Sequence, residues 1–201
     1  MRDKFIEMLN GTGRPECEKV VGCLDRIGFF SAPASTKHHL SVKGGLVEHS
    51  VHVCEVALKL RESLVAVDPS MEDRLPVASV VFCALLHDVC KADIYVEVQK
   101  WKKDENGKWQ SYLAYDVDYS RCPLGHGEKS VMRLQEWGVR LTIDEMLAIR
   151  WHMAAWDLPF QSYETLGNLN AARDKSPLVV LLQCADMLAS GVIENNNRNL
   201  G

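Results

Sequence analysis

A histidine and an aspartate, His87 and Asp88, stand side by side at the end of the apolar run Phe82-Cys-Ala-Leu-Leu. Successive helix residues diverge by about 100°, so an imidazole and a shorter carboxylate at these positions can both reach one ion beside the helix. Burying both groups on an apolar helix costs free energy unless something compensates them, and a divalent cation would do so. The pair therefore predicts a metal site.

Further candidate ligands occur in other helical segments of the chain. Each is a histidine or an aspartate on its own predicted helix: His49, His126, His152 and Asp186. Metal sites in the cores of helical bundles are built in this way, from side chains on facing helices. A set of histidines and carboxylates suits Zn, Fe, Mn, Ni, Co or Mg, and the spacing does not choose among them.

Simpler explanations compete with a metal at each of these positions. A single histidine on a helix is more often a packed or surface residue than a ligand, and we interpret His38 and His52 in that way. A buried structural aspartate would explain Asp186 taken alone. The candidates taken together favour a metal. The cysteines are interpreted as small core residues.

Helices must position these candidates, because apolar residues recur at helical spacing through most of the chain. Thr142-Ile-Asp-Glu matches a capping box, and Pro177 fits the first turn of the last helix. A Pro- and Ser-containing stretch that starts at Phe29 is predicted to be a loop. The predicted helices span residues 3–10, 15–27, 45–66, 76–91, 125–137, 142–154 and 176–192.

The apolar pattern changes period between the His87-Asp88 helix and the His126 helix. Aromatic and β-branched residues alternate on both sides of Asn106-Gly107, which predicts a β-hairpin with strands at 95–103 and 108–116. The predicted fold class is all-α, a helical bundle with this one hairpin inserted at 95–116. We expect the hairpin to form a lid or the edge of a homodimer.

Composition limits the class of protein. The 201 residues are 47% hydrophobic and 25% charged. They predict a single domain over 1–201, with an N-terminal helical extension at 1–28 and a flexible tail at 195–201. The net charge of −4 does not favour a generic nucleic-acid binder. The seven cysteines include no C-x-x-C pair, which excludes zinc-ribbon and thioredoxin motifs. Without a signal sequence or an apolar run of about 20 residues, we expect a cytoplasmic protein that does not span a membrane.

The order of His49, His87-Asp88 and Asp186 resembles the H…HD…D signature of the HD-domain metal-dependent phosphohydrolases. The strings Gly44-Gly-Leu-Val-Glu-His and Ala84-Leu-Leu-His-Asp-Val-Cys-Lys are similar to a small bacterial or phage branch of that superfamily. The resemblance covers residues 29–192, and it implies the HD-domain helical fold.

The resemblance also implies a cofactor of one or two divalent metal ions. His126 and His152 resemble the two additional histidines of members that hold two metals. The implied first set is His49, His87, Asp88 and Asp186, and the implied second set is Asp88, His126 and His152. Two-metal members often carry a histidine where this chain has Met153, and methionine is a poor ligand for a hard ion.

Several other residues receive expected roles from this resemblance. Lys91 completes an H-D-x-x-K pattern and would orient Asp88 or contact phosphate, so Asp88 and Lys91 are the expected catalytic residues. A solvated lysine near a helix C-terminus explains Lys91 equally well. Lys37 and His39, in the loop before the His49 helix, and Arg150 are candidate substrate contacts.

The implied function is hydrolysis of a phosphomonoester or phosphodiester in a nucleotide or other phosphorylated small molecule, by a metal-activated water. Three alternatives stay open. They are a 3′→5′ exonuclease, although those enzymes add an OB-type domain for single strands; a di-iron oxygenase with the HD fold; and a non-catalytic nucleotide-binding regulatory domain.

Overall fold

The computed structural model describes residues 1–118, 120, 122–158 and 162–195. Its α-helices, in chain order, are α1 (Arg2–Asn10), α2 (Cys17–Arg26), α3 (Gly45–Val67), α4 (Met71–Arg74), α5 (Val77–Leu86), α6 (His126–Glu136), α7 (Ile143–Trp151), α8 (Tyr163–Lys175) and α9 (Pro177–Leu188). Short 3₁₀ turns span Phe29–Ser31, Val89–Asp93 and Ala154–Asp157, and a π-helical turn spans Ala189–Ile193. The strands are β1 (Tyr95–Lys103) and β2 (Trp109–Val117). The predicted mostly-α fold with one β-hairpin is therefore confirmed.

Helix α5 lies at the centre of the bundle and contacts α3, α7 and α9. Every residue from Val80 to Leu86 is at most 7% exposed. A helix that is apolar on all sides has to be covered on all sides, and this explains why the chain wraps its other helices around α5. The residues that follow Leu86 are consequently delivered to the interior of the protein.

The helix that carries the His87-Asp88 pair ends earlier than predicted. The α-helix stops at Leu86 with His87 as its C-cap, and Asp88 leaves helical geometry with φ −105° and ψ 17° before a 3₁₀ turn begins. The apolar spacing continues across this break and conceals it in the sequence. The break lets the two side chains point toward the same interior region.

Local signals predicted most helix ends well. Gly44 has φ 79°, a left-handed conformation that glycine adopts without strain, and α3 begins at the next residue. Thr142 accepts a hydrogen bond from the backbone N–H of Glu145, and Glu145 accepts one from the backbone N–H of Thr142, so the predicted capping box is present.

Helix α8 is not among the helices predicted from the sequence. This helix buries only Leu169 and Ala172 and contains Gly167, so its apolar stripe is weak. The available signal was its N-cap, where the Ser162 side chain accepts a hydrogen bond from the backbone N–H of Thr165.

The β-hairpin is antiparallel, with Tyr95 opposite Val117 and Lys103 opposite Trp109. Asp104 closes its five-residue loop, since its Oδ1 accepts from the backbone N–H groups of Asn106 and Lys108 at 2.9 Å. The body contacts β1 through the 3₁₀ turn Val89–Asp93. The roles expected for the hairpin as lid or dimer edge stay predictions.

The helical stretch Met71–Asp93 is long and apolar enough to cross a membrane, with a mean hydropathy of 1.6, which we did not expect from the sequence; 72% of its most apolar window is buried inside the protein, as in a core helix. Helices α8 and α9 are long and apolar enough to cross a membrane only when they are taken together, and the two are bent by 106° relative to each other. Of the tail predicted at 195–201, residues 196–201 lie outside the described residues.

Gly127 controls how closely α6 approaches α7, because a Cβ added there would collide with the backbone carbonyl of Arg150. We predict that Gly127→Ala forces the helices apart and destabilises the protein by about 1–3 kcal/mol, as overpacking does. Urea unfolding measures this change. The matched control is Gly167→Ala in α8, where a Cβ meets nothing within 4 Å and the effect should be neutral or slightly stabilising. Equal stabilities for the two variants would contradict the role of Gly127.

Candidate metal centre

The structure brings all the predicted metal ligands into one buried cluster. Five helices contribute: α3, the ends of α5 and α7, the first residue of α6, and α9. The side chains of His49, His87 and His152 are fully buried, Asp88 is 1% exposed, and Asp186 and His126 are 16% and 20% exposed. The exposed fraction of the candidate ligands therefore rises from the closed interior of the cluster to an accessible side at Asp186 and His126.

Asp88 lies at the centre of the cluster. Its Oδ1 is 2.5 Å from Nε2 of His126 and 3.3 Å from Nε2 of His152. Its Oδ2 is 3.3 Å from Nε2 of His87 and 3.6 Å from Nε2 of His49. One carboxylate therefore faces four imidazoles, two on each oxygen.

Four overlapping groups of side chains have ligand atoms within 4.8 Å of one another, close enough to share a cation. Asp186 joins the cluster through His49, whose Nε2 is 3.2 Å from Asp186 Oδ1. One group is His39, His49 and Glu194, and the other three are His49, His87 and Asp88; His87, His152 and Asp186; and Asp88, His126 and His152. Because those three overlap at Asp88, His87 and His152, the cluster could hold one ion or two adjacent ions.

The orientation of the histidine rings fits a metal. Nδ1 of His87 lies 2.8 Å from the carbonyl oxygen of Ala84, and Nδ1 of His152 lies 2.7 Å from that of Ile149. A carbonyl only accepts, so each Nδ1 must carry the proton, and each Nε2 directs a lone pair into the cluster unless the ring is fully protonated. Nε2 of His87 and Nε2 of His152 are buried without a hydrogen-bond partner. Unpaired buried nitrogens are costly, and a cation at their convergence would satisfy them.

Neighbouring groups stabilise the charged forms of Asp88 and Lys91. Burial opposes ionisation of Asp88, but Lys91, His87 and His126 outweigh it and hold the pKa of Asp88 well below its usual range. Lys91 Nζ is 2.6 Å from Asp88 Oδ2 and is itself buried, and the carboxylate raises the pKa of Lys91 despite that burial. The site thus contains an anionic Asp88 beside a cationic Lys91.

A glutamate that was not predicted from the sequence, Glu194, contacts the Nδ1 side of the His49 ring, away from the cluster. The Glu194 side chain is fully buried, and its carboxylate is 3.0 Å from Nδ1 of His49 and 3.0 Å from Nδ1 of His52. His52, which we interpreted as an ordinary histidine, is therefore a partner of Glu194. The available signal was the pair His49 and His52 on one helix face, but Glu194 lies 145 residues from His49 in the chain.

Acidic neighbours make His49 a strong base. Burial lowers the stability of its charged form, but the nearby carboxylates of Asp186 and Glu194 outweigh burial and raise the pKa of His49 to about 9. The same contact with His49 holds the pKa of Asp186 and that of Glu194 below their usual values, against the effect of burial.

A cavity of about 660 Å³ opens beside the cluster, within the size range of small-molecule sites. Its inner end is lined by Lys91, His152 and Asp186, and Met153 forms part of its wall. His39 lines this cavity and also a neighbouring one of about 760 Å³. We call the 660 Å³ space the site cavity.

The other predicted substrate contacts lie at different places. Lys37 lines the neighbouring cavity beside His39. Arg150 pairs with Glu128 at 2.5 Å, and its guanidinium stacks 4.0 Å from the ring centroid of Trp151. Among the described residues that line the site cavity, neither Lys37 nor Arg150 is present, so their roles in substrate binding stay predictions.

The chain is similar to known proteins over parts of its length. A family model, TraI_2, described as "Putative helicase", matches residues 29–122. The curated dihydroneopterin 2′,3′-cyclic phosphate phosphodiesterase of Methanocaldococcus jannaschii is 32% identical over 120 residues, which is 59% of this chain and 43% of that enzyme. The chain thus spans less than half the length of this relative. No solved structure matches the chain significantly.

We predict that Glu194→Gln destabilises the chelator-treated protein by about 1.5–3 kcal/mol at pH 6, because the buried imidazole of His49 and the half-buried imidazole of His52 lose a charged acceptor. Urea unfolding checks this, with Glu164→Gln, an exposed residue in the first turn of α8, as the control. An unchanged midpoint for Glu194→Gln would contradict the support of His49 by Glu194.

The same difference should depend on pH. The folded-state pKa of His49 is raised from 6.5 to about 9, so the stability from its charged form is fully present below pH 6.5 and is lost as pH rises through about 9. The difference in the free energy of unfolding between wild type and Glu194→Gln should therefore become smaller above pH 9. A difference of constant size from pH 6 to pH 10 would contradict this assignment.

Proposed function

We propose that the protein is a metal-dependent phosphodiesterase-type hydrolase of the HD kind, acting on a phosphorylated small molecule. The observation that carries the proposal is the convergence of three buried Nε2 atoms, those of His49, His87 and His152, on one ionised carboxylate, Asp88, at the inner end of an open cavity. The similarity to a cyclic phosphate phosphodiesterase supports the type of bond attacked. The HD resemblance supports the metal.

The HD resemblance implies two ligand sets, and the positions of the side chains are compatible with both. A first ion would be held by His49, His87, Asp88 and Asp186, and a second by Asp88, His126 and His152, with Asp88 shared. When bound, a divalent ion lowers the pKa of its water and stabilises negative charge on phosphoryl oxygens. Of the two imidazoles in the second set, His126 is 20% exposed and His152 is fully buried, so the second set is accessible from the His126 side.

The residues of the chain contribute orientation and charge. Hydrolysis of a phosphodiester joins the oxygen of water to phosphorus, breaks one ester P–O bond and leaves a proton to be placed on the departing oxygen. Lys91 remains charged and lines the site cavity, so its ammonium group can pair with a phosphate oxygen as well as with Asp88. Fixed cations next to developing negative charge lower the barrier.

His39 is a second polar group in the cavity wall. Its Nε2 is buried without a hydrogen-bond partner. Burial, with the positive charges of His49 and Lys91, lowers the pKa of His39 to about 4. The ring is therefore neutral at pH 7 and can hydrogen-bond to substrate without adding charge.

The substrate class follows from the size of the cavity and from the relative. A volume of about 660 Å³ suits a molecule of nucleotide size, and the relative is named for a cyclic phosphate ester. We therefore propose 2′,3′-cyclic or linear phosphodiesters of small molecules as substrates. Oxygen consumption by the iron-loaded protein, without phosphoester cleavage by any metal form, would instead indicate an HD-fold oxygenase.

We predict that Asp88→Asn loses both the metal and the activity, because it removes the carboxylate shared by the two ligand sets. Elemental analysis after reconstitution with Mn²⁺, Fe²⁺, Ni²⁺, Co²⁺, Zn²⁺ or Mg²⁺ measures the first, and hydrolysis of bis(p-nitrophenyl) phosphate measures the second. Asp144→Asn, in the exposed first turn of α7, is the matched control. Wild-type protein that binds none of these metals and cleaves no phosphoester would refute the proposal.

Lys91→Met should separate metal binding from chemistry. We expect metal content to be retained, since Lys91 donates no ligand atom, whereas kcat should fall by about 10²-fold or more, as on loss of one donor to developing charge. Steady-state kinetics and metal analysis on the same samples measure both. A rise in KM with kcat unchanged would show that Lys91 contributes only uniform binding.

A further inference from the structure

The site cavity has two chemically different ends. The inner end holds Lys91, His152 and Asp186, and the outer end is walled mainly by apolar side chains. Val180 lines the outer end and lies six residues before Asp186 on α9. At a rise of 1.5 Å per residue this is about 9 Å along the helix. A substrate with its phosphate at the cluster would therefore place its remaining part against the outer end.

Arg173 of α8 lines the site cavity and also shares a second cavity of about 420 Å³ with Val180, which places it toward the outer end. Hydrogen bonds set its orientation. Its Nε donates to Oε1 of Gln183 at 3.1 Å. Gln183 is 9% exposed, and its Nε2 donates to the carbonyl oxygen of Trp151 at 2.7 Å. The guanidinium is therefore anchored through Gln183 to the backbone next to the candidate ligand His152.

The rest of the Arg173 guanidinium is available to a ligand. A guanidinium has five N–H donors, and the anchoring bond uses only the one on Nε. Within the described ranges, no carboxylate lies within 4.0 Å of this side chain. Both Arg173 and Gln183 line the site cavity. The anchored arginine thus presents two terminal NH₂ groups beside the space where a substrate would lie.

The apolar lining of the site cavity favours a flat, apolar group, rather than a second phosphate, for the part of the substrate beyond the cluster. This lining comprises Met153, Ala154, Trp156, Val180 and Met187. Trp156 is 90% exposed and offers an indole that is not covered by the protein. Among the described residues that line the cavity, the only other lysine or arginine is Lys91, which lies at the inner end beside Asp88.

We propose that Arg173, held by Gln183, recognises the end of the substrate remote from the phosphate and selects a planar fused heterocycle with two adjacent hydrogen-bond acceptors on one edge. The guanine edge, with O6 and N7, is such an acceptor pair, and arginine binds it with two parallel hydrogen bonds. Adenine presents a donor at the corresponding position. This inference rests on the proposed function for the location of the phosphate, whereas recognition of the ring can be measured without any reaction.

The first test compares guanosine with adenosine, neither of which carries a phosphate, by calorimetric titration of the metal-reconstituted protein. Wild type should bind guanosine about tenfold or more tightly than adenosine, the range expected of one bidentate arginine contact. Arg173→Met should remove this preference. Arg173→Lys should remove it too, because lysine keeps the charge but lacks the two parallel N–H donors of the planar guanidinium. Equal binding of the two nucleosides by wild type, or an Arg173→Lys protein that keeps the preference, would overturn the proposal.

The second test compares kcat/KM for guanosine and adenosine 2′,3′-cyclic phosphates. The guanosine ester should be favoured by wild type, and the ratio should approach one in Arg173→Met through a higher KM for the guanosine ester. Gln183→Met should weaken the preference, since it releases the guanidinium from its anchor. Lys175→Met, an exposed residue in the same last turn of α8 that does not line the site cavity, is the matched control, and melting temperature and metal content confirm that each variant is folded and loaded.

The two hypotheses fail in distinguishable ways. Preferential binding of guanosine without cleavage of any phosphoester would refute the proposed function and leave the recognition by Arg173 supported. Cleavage of bis(p-nitrophenyl) phosphate by wild type, together with equal kcat/KM for the two cyclic esters, would support the function and overturn the inference about Arg173.

Discussion

An ionised carboxylate at the end of a fully buried helix is the constraint on which the site depends. Asp88 is 1% exposed and carries its charge because Lys91, His87 and His126 stabilise it. A lone anion at that depth would cost several kcal/mol, so polar groups from other helices have to converge on it. Helices α3, α6 and α7 each bring an imidazole nitrogen within 3.6 Å of this carboxylate.

The histidines are oriented by two different devices, and helix position explains which one each uses. His87 and His152 are C-caps, where the carbonyls of the preceding turn have no helical N–H partner, and each ring donates to the carbonyl three residues earlier. His49 lies inside α3, where those carbonyls belong to the helix. Its Nδ1 therefore needs a side chain, and Glu194 from the turn after α9 provides it. Helix α3 and the turn after α9 are thereby linked through one imidazole.

Much of the fold could be predicted because its signals are local. The capping box at Thr142, the Gly44 start of α3 and the alternation around Asn106-Gly107 each depend on a few neighbouring residues, and each is present in the structure. The misses have physical causes. Helix α8 buries only two side chains, so its periodicity is faint, and the end of α5 is hidden because apolar residues continue beyond the break that Asp88 makes.

The sequence by itself determined which residue types could bind a cation and that they lie on separate helices, because a histidine or aspartate within an apolar helical stretch is a local anomaly. Only the tertiary structure decided how they meet. The packing of α6 against α7 at Gly127, the contact of Glu194 with His49 and the anchoring of Arg173 by Gln183 depend on the relative placement of helices. Such contacts join residues that are close in space while being as much as 145 positions apart in the chain, and no pattern of neighbouring residues encodes a distance of that kind.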